Sequence, residues 1–237
     1  MEFLRRKKIP LLIIALLICL YLILMPIKLS KEPKVTPQSK SPTEIKLPNP
    51  ASTSKISIEE ALKKRRSIRE YKNKEITLHQ IAQLLWASQG VTSIYGFRTT
   101  PSAGALYPLE VYVVSGNVDK LPSGIYHYLP STHRVQKLKD GDIRTHLTKA
   151  IFQQEAIRQG AAYIVITAEF SRTINKYGDK GKEFVFMEAG HAAQNIYLQS
   201  VSLNLGTVSI GAFDRNKVKT ILDITEEPLY ILPIGTF

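Results

Sequence analysis

The chain has 237 residues, room for one medium domain plus an appendage, and its hydrophobic (44%) and charged (22%) fractions are those of an ordinary globular protein. A net charge of +12 would suit a nucleic-acid binder, but residues 1–55 hold ten Lys/Arg against three Asp/Glu, or +7, which leaves +5 for the remainder. No basic stripe with interleaved aromatics runs through residues 56–237, so nucleic acid is not expected as a partner, and the basic tail points to a membrane surface instead. The single cysteine, Cys19, excludes a disulfide within the chain and a cysteine zinc site.

In chain order, the basic flank 1–8 ends in Arg5, Arg6, Lys7 and Lys8 and precedes 19 uncharged residues, Ile9 to Ile27. As a helix that run spans about 30 Å, the thickness of a bilayer core. The spacing predicts a single-pass transmembrane anchor over 9–27. No small-residue cleavage site follows it, so the anchor is expected to remain uncleaved. The tight N-terminal basic cluster places the N-terminus inside and the main domain on the extracytoplasmic side. Residues 28–55 are rich in Pro, Ser and Lys and read as an extended spacer without a fold of its own.

Residues 56–237 read as one α+β domain, a mixed sheet flanked by helices. Ser57 with Glu60 opens a helix, and a second runs from near Thr77 to Gly90. Strands are predicted at 110–115, 124–128, 134–138, 161–170 and 228–235, with a hairpin turn at 129–132. A long helix is predicted over 183–203, a Gly-punctuated connector or short strand over 206–213, and a short helix over 218–222.

Five segments could carry chemistry. Arg65, Arg66, Ser67 and Arg69 could bind a phosphate through guanidinium forks and a hydroxyl; a solvated basic helix end would look the same. Ser102, Ala103, Gly104 and Ala105 lie in a tight path between Pro101 and Pro108, where exposed N–H groups could meet a flat heterocycle, or simply form a turn. Lys176 and Tyr177 read as lying in a flexible loop marked by Gly178 and Gly181, and such a pair could move a proton or be merely polar surface. Glu188, His191, Gln194 and Asn195 are polar positions in an otherwise buried helix and need partners. Gly206 and Gly211 bracket an apolar strip. No metal is expected, because no second ligand stands at a suitable spacing from His191. The Rossmann fingerprint, the Walker A loop, GxSxG and HExxH are all missing from the sequence.

Taken in order, RRSIREY (65–71), PSAGALYPLEVYVV (101–114), GIYHY (124–128), KYGDKG (176–181), EAGHAAQN (188–195), GTVSIGAFD (206–214) and PLYILPIG (228–235) resemble the nitroreductase superfamily. They are most similar to its SagB/ThcOx-type dehydrogenase branch, over about 56–237. The resemblance implies a nitroreductase-like FMN-binding fold and a homodimer. It implies that Arg65, Arg66, Ser67 and Arg69 contact the FMN phosphate and ribityl chain. Ser102 to Ala105 would lie near the isoalloxazine ring, and Gly206 to Gly211 on its other side. Lys176 and Tyr177 match the Lys–Tyr pair that azoline-oxidising members use in proton removal. Where typical nitroreductases resemble PSAGNLQPW, this chain has Ala105, Tyr107 and Leu109 in place of Asn, Gln and Trp, and Asn175 stands where azoline oxidases usually have Leu. The function implied is hydride transfer between a small-molecule or modified-peptide substrate and flavin. The alternatives are an NAD(P)H-dependent nitro or quinone reductase, and a catalytically inactive membrane-tethered scaffold.

Overall fold

The computed structural model describes residues 43–152 and 159–237. The elements in chain order are β1 (Glu44–Lys46), α1 (Ile58–Lys64), β2 (Ile76–Thr77), α2 (Leu78–Gln89), β3 (Leu109–Ser115), β4 (Val118–Asp119), β5 (Gly124–Leu129) and β6 (Arg134–Asp140). There follow α3 (Arg144–Ala150), β7 (Ala162–Ala168), α4 (Ser171–Tyr177), α5 (Lys180–Ser202), β8 (Gly206–Thr207), α6 (Arg215–Leu222) and β9 (Glu227–Gly235). Seven strands form one sheet in the order β1-β6-β5-β3-β7-β9-β8, and β2 pairs with β4 in a separate short ladder.

The expected mixed sheet is corrected. Every pairing in the seven-stranded sheet is antiparallel, and only the two-residue β2–β4 ladder is parallel. The period-2 alternation of the central strands explains the layering. Leu109, Val111 and Val113 of β3 and Ile164 and Ile166 of β7 face one core with Leu84 and Leu85 of α2 and Val185 and Ile196 of α5. Tyr112 and Val114 of β3 and Tyr163 and Val165 of β7 face the other, with Leu147 of α3 and Val218 and Leu222 of α6. The sheet is therefore sandwiched between helices, and β7 is buried along its whole length.

The helix starts follow their caps. Ser57 accepts from the Glu60 N–H at 3.2 Å, and Thr77 with Gln80 forms a reciprocal capping box ahead of α2. Part of the stretch read as a spacer belongs to the domain: β1 pairs with β6, and Leu47 behind it is buried in the core. Burying a leucine contributes roughly 2 kcal/mol, enough to favour docking of a short edge strand. Proline and serine dominate that stretch, so the one apolar pair Ile45–Leu47 is an easy signal to miss.

The transmembrane helix in the expected fold class is also corrected. Among the described residues no helix is long and apolar enough to cross a membrane. The run 9–27 lies outside the described residues, so neither the anchor nor the membrane location built on it is retained. Hydropathy alone had suggested the span, and hydropathy does not by itself establish a helix.

Candidate functional site

Two clusters of the expected site residues assemble, at separate positions along α5. The first gathers around Tyr197. Helix α1 stops at Arg65, whose backbone turns extended (φ −54°, ψ 123°) while its N–H still donates to Ala61 O. The chain then runs beside β8: the Ile68 N–H donates to Thr207 O at 2.9 Å. A Cβ at Gly206 would lie 2.7 Å from Ile68 Cγ2, so the missing side chain is what lets the two segments touch. Tyr197 stands between them. Its Oη is 3.0 Å from Ser67 Oγ and accepts from the Ser209 N–H at 2.9 Å. The Arg65 guanidinium carbon lies 5.1 Å from the Tyr197 ring centroid. Burial alone would push the Tyr197 phenol up, but hydrogen bonds from Ser67 and Ser209 and the Arg65 charge outweigh it and hold it below its ordinary value.

The cations here are open. Arg66 is exposed and donates to the carbonyls of Lys63 and Arg65. Arg69 is exposed as well, and among the described residues no carboxylate forms an ion pair with Arg65, Arg66 or Arg69. Gly211 does not join the cluster: it is exposed, and the nearest atom to a Cβ there would be Tyr230 Cε1 at 3.8 Å.

The second cluster is the turn after α2. Ser102 precedes one 3₁₀ turn, Ala103–Ala105. Left-handed backbone follows at Gly104 (φ 62°), Ala105 (φ 54°) and Tyr107 (φ 47°). The Tyr107 N–H donates to Ser102 Oγ at 2.9 Å and closes the turn. A Cβ on Gly104 would sit 2.7 Å from Tyr177 Oη and 2.9 Å from Lys176 Nζ. Lys176 Nζ and Tyr177 Oη therefore lie where a side chain at position 104 would go, and the left-handed φ favours glycine there. The flexible loop expected around them is corrected: both residues form the last turn of α4, and Gly181 is buried inside α5. The Tyr177 ring meets Phe184 edge-on at 5.2 Å, and Lys176 Nζ lies 5.5 Å from the Tyr177 ring centroid. The glycines that read as loop markers instead end one helix and tighten the next.

Beneath this turn lies a polar group that the sequence signalled only as a carboxylate on an apolar helix. Glu188 of α5 is 3% exposed. Gln89 Nε2 donates to Glu188 Oε1 at 3.5 Å, and Arg98 Nη1 donates to Gln89 Oε1 at 2.9 Å. Burial pushes the Glu188 carboxyl up to about 7, against the opposing pull of Ser102, Gln89 and the Arg98 charge. Arg98 also stacks on Tyr107, its guanidinium carbon 4.4 Å from the ring centroid. Asn195 donates to Thr99 O and Thr100 Oγ1. His191, by contrast, is exposed. Nine residues separate Glu188 from Tyr197 on α5, so the two clusters stand about 13 Å apart along its axis.

Tyr197 was legible only as an apolar-face residue, since nothing local shows that its hydroxyl bridges Ser67 and Ser209. Arg172 carried no signal at all. Its Nη2 lies 2.5 Å from Glu110 Oε1, and its Nη1 donates to Tyr107 O at 3.0 Å, partners more than sixty positions earlier.

Comparison with known proteins bears on this arrangement. The sequence model of the Nitroreductase family matches residues 62–236. A Methanocaldococcus jannaschii protein that carries the name of a nitroreductase is 43% identical over 192 residues, 81% of this chain and 96% of the relative. The Microcin B17-processing protein McbC of Escherichia coli is 29% identical over 131 residues, 52% of this chain and 48% of the relative, so the match spans about half of that protein. Among solved structures, a Ralstonia eutropha protein described as a nitroreductase superposes with a TM-score of 0.72 at 28% identity, covering 81% of this chain and 89% of that one. By the span of the family match and the identity to the Methanocaldococcus relative, this chain belongs to the nitroreductase family of oxidoreductases.

Proposed function

We propose that the protein is an FMN-dependent oxidoreductase of the SagB-like dehydrogenase type, taking a hydride and a proton from a small-molecule or modified-peptide substrate. The observation that carries this reading is the contact of Lys176 Nζ and Tyr177 Oη with the left-handed Gly104 turn. An amine and a phenol converge there on a backbone that carries no side chain. The similarity to McbC, a Microcin B17-processing protein, favours a substrate of that kind over a nitro compound.

The residues present fit the cofactor on two counts. Among the described residues Arg65, Arg66 and Arg69 have no carboxylate partners, and they flank Ser67 in the sequence, a donor set suited to a phosphate. The Ser102–Ala105 turn carries only small side chains, which suits close approach of a flat ring to its backbone. When bound, FMN would supply a two-electron acceptor for the hydride.

The work of the chain is to bind, orient and move a proton. Arg65, Ser67 and Arg69 hold the phosphate end, with Arg66 on the exposed flank. Ser102 to Ala105 set the ring end, and Gly206 brings β8 against the binding segment. Lys176 accepts the proton from the acidic C–H of the substrate at Nζ, while Tyr177 orients the substrate through Oη. A second copy of the chain is the expected partner, as a homodimer.

The test is optical. Purified protein should be yellow and release FMN on denaturation; colourless protein that does not take up added FMN would refute the reading. Lys176→Ala should retain flavin but bleach on the order of 10²–10⁴-fold more slowly with a thiazoline carboxylate ester as probe. An undiminished rate would remove Lys176 from the chemistry. Rapid bleaching of the wild type by NADPH, with none by the ester, would favour a nitro or quinone reductase instead.

A further inference from the structure

We infer that Arg172 and Glu110 are positioning residues that set Lys176 and Tyr177 against the Gly104 turn, an inference that rests on the function proposed above. Helix α4 has only seven residues, and its N-cap, Phe170, makes no side-chain capping bond. A helix this short holds its place only through tertiary contacts. At its C-terminal end the contact is packing: Gly181 lies so close that a Cβ there would be 3.0 Å from Ile174 Cα. At its N-terminal end the Glu169 N–H donates to Pro108 O at 2.8 Å and the Phe170 ring meets Phe186 at 5.5 Å, and the side chain that reaches from the helix itself to the sheet is Arg172.

Arg172 ties α4 to two places at once. Nη2 reaches Glu110 Oε1 on the central strand β3 at 2.5 Å. Nη1 donates to Tyr107 O at 3.0 Å, in the same turn whose Tyr107 N–H closes on Ser102 Oγ. The planar guanidinium makes both bonds from one rigid fork, so the helix and the turn cannot shift independently. The anchor is itself fixed. The second Glu110 oxygen is 2.7 Å from His127 Nε2. The His127 ring stacks on Tyr112 with centroids 4.8 Å apart, and the Tyr112 hydroxyl donates to Glu226 at 3.0 Å. Arg172 stands four residues before Lys176, one helical turn, so a shift of this end of α4 carries Lys176 with it.

A role in stability alone explains this network poorly. The Arg172 side chain is 41% exposed, and Glu110, at 15%, keeps His127 as a partner when Arg172 is removed, so the pair adds little to folding. Placement is different, because a displacement of about 1 Å can cost a reaction about a hundredfold in rate.

The experiment compares Arg172→Gln, Arg172→Lys and Glu110→Gln with the wild type as holoprotein. Hydrogen–deuterium exchange should rise at the amides of Thr173 to Gly178 in Arg172→Gln and stay near wild type in β7. FMN affinity should stay within about twofold. The limiting rate of bleaching by the thiazoline carboxylate ester should fall about ten- to a hundredfold, with half-saturation little changed. Arg172→Lys, which keeps the charge and loses the fork, should recover part of the rate. Glu110→Gln severs the same link from the sheet side and should reproduce the loss if Arg172→Gln folds poorly. Unchanged exchange in α4 with a normal limiting rate would overturn the inference. That outcome is distinct from failure of the proposed function, in which Lys176→Ala itself leaves the rate intact; the exchange measurement needs no turnover and decides the positioning role on its own.

Discussion

The two clusters along α5 treat positive charge in opposite ways. Around Tyr197 the Arg65 guanidinium lies over the phenol ring while Arg66 and Arg69 in the same segment are exposed, all three without a carboxylate partner among the described residues, and the hydroxyls of Ser67 and Tyr197 are bonded to each other. Around Ser102 the cations are consumed internally: Arg98 by Gln89 above the buried Glu188, and Arg172 by Glu110 and the Tyr107 carbonyl. Among the described residues Lys176 forms no ion pair, and its Nζ lies over the Tyr177 ring. An open cluster of charge gains most by taking an anion from outside. A closed one gains nothing from an added ion, and spends its bonds on holding a geometry.

The sharpest way to break this contrast is to remove the open charges. Two charge-assisted bonds at about 1.5–3 kcal/mol each imply that Arg65→Ala with Arg69→Ala should weaken FMN binding on the order of 10²–10⁴-fold. A fluorescence titration checks this, and affinity within threefold of wild type would mean that the open end is not a phosphate site.

Glu188 sharpens the closed side through pH. Its folded value of about 7 lies above the ordinary 4.5, so the native state keeps a proton that the unfolded chain releases. The associated stability is complete below about pH 4.5, is lost as pH rises toward about 7, and changes no further above that. The full effect is on the order of 3 kcal/mol. Urea denaturation of Glu188→Gln beside the wild type should therefore show the variant gaining on the wild type across that window, and parallel pH curves would contradict the burial argument.

The smallest effect concerns the glycine between the two catalytic candidates. Gly104→Ala places a Cβ at left-handed φ and against Tyr177 Oη and Lys176 Nζ. The backbone cost is about 1 kcal/mol, which should lower Tm by a few degrees. The bleaching rate should suffer more than the stability, and a loss of stability without loss of rate would detach the turn from the chemistry.

How much of this was legible locally can be judged residue by residue. Ser57 and Thr77 announced their helices because capping depends on residues three apart. The apolar, β-branched runs of β3 and β7 announced strands, because such side chains pack well on a pleated sheet. The helix α3 was missed, since Arg144–Ala150 is short and has no side-chain N-cap bond. Lys176 and Tyr177 read as loop residues but belong to a helix, because two nearby glycines imitate a loop signal while one of them is simply packed into α5.

By itself, then, the amino-acid order determined most of the long elements, a sheet flanked by helices and the motif segments in family order, because these rest on contacts between near neighbours and on the burial of patterned apolar groups. It could not determine whether the apolar run 9–27 crosses a membrane; among the described residues, which do not include that run, no helix is long and apolar enough to do so. Only the tertiary structure decided which segments meet: Ser67 with Tyr197 across 130 positions, Gly104 with Lys176, and Arg172 with Glu110. Those pairings follow from how an antiparallel sheet and one 23-residue helix place distant segments in space, and no local pattern in the chain encodes them.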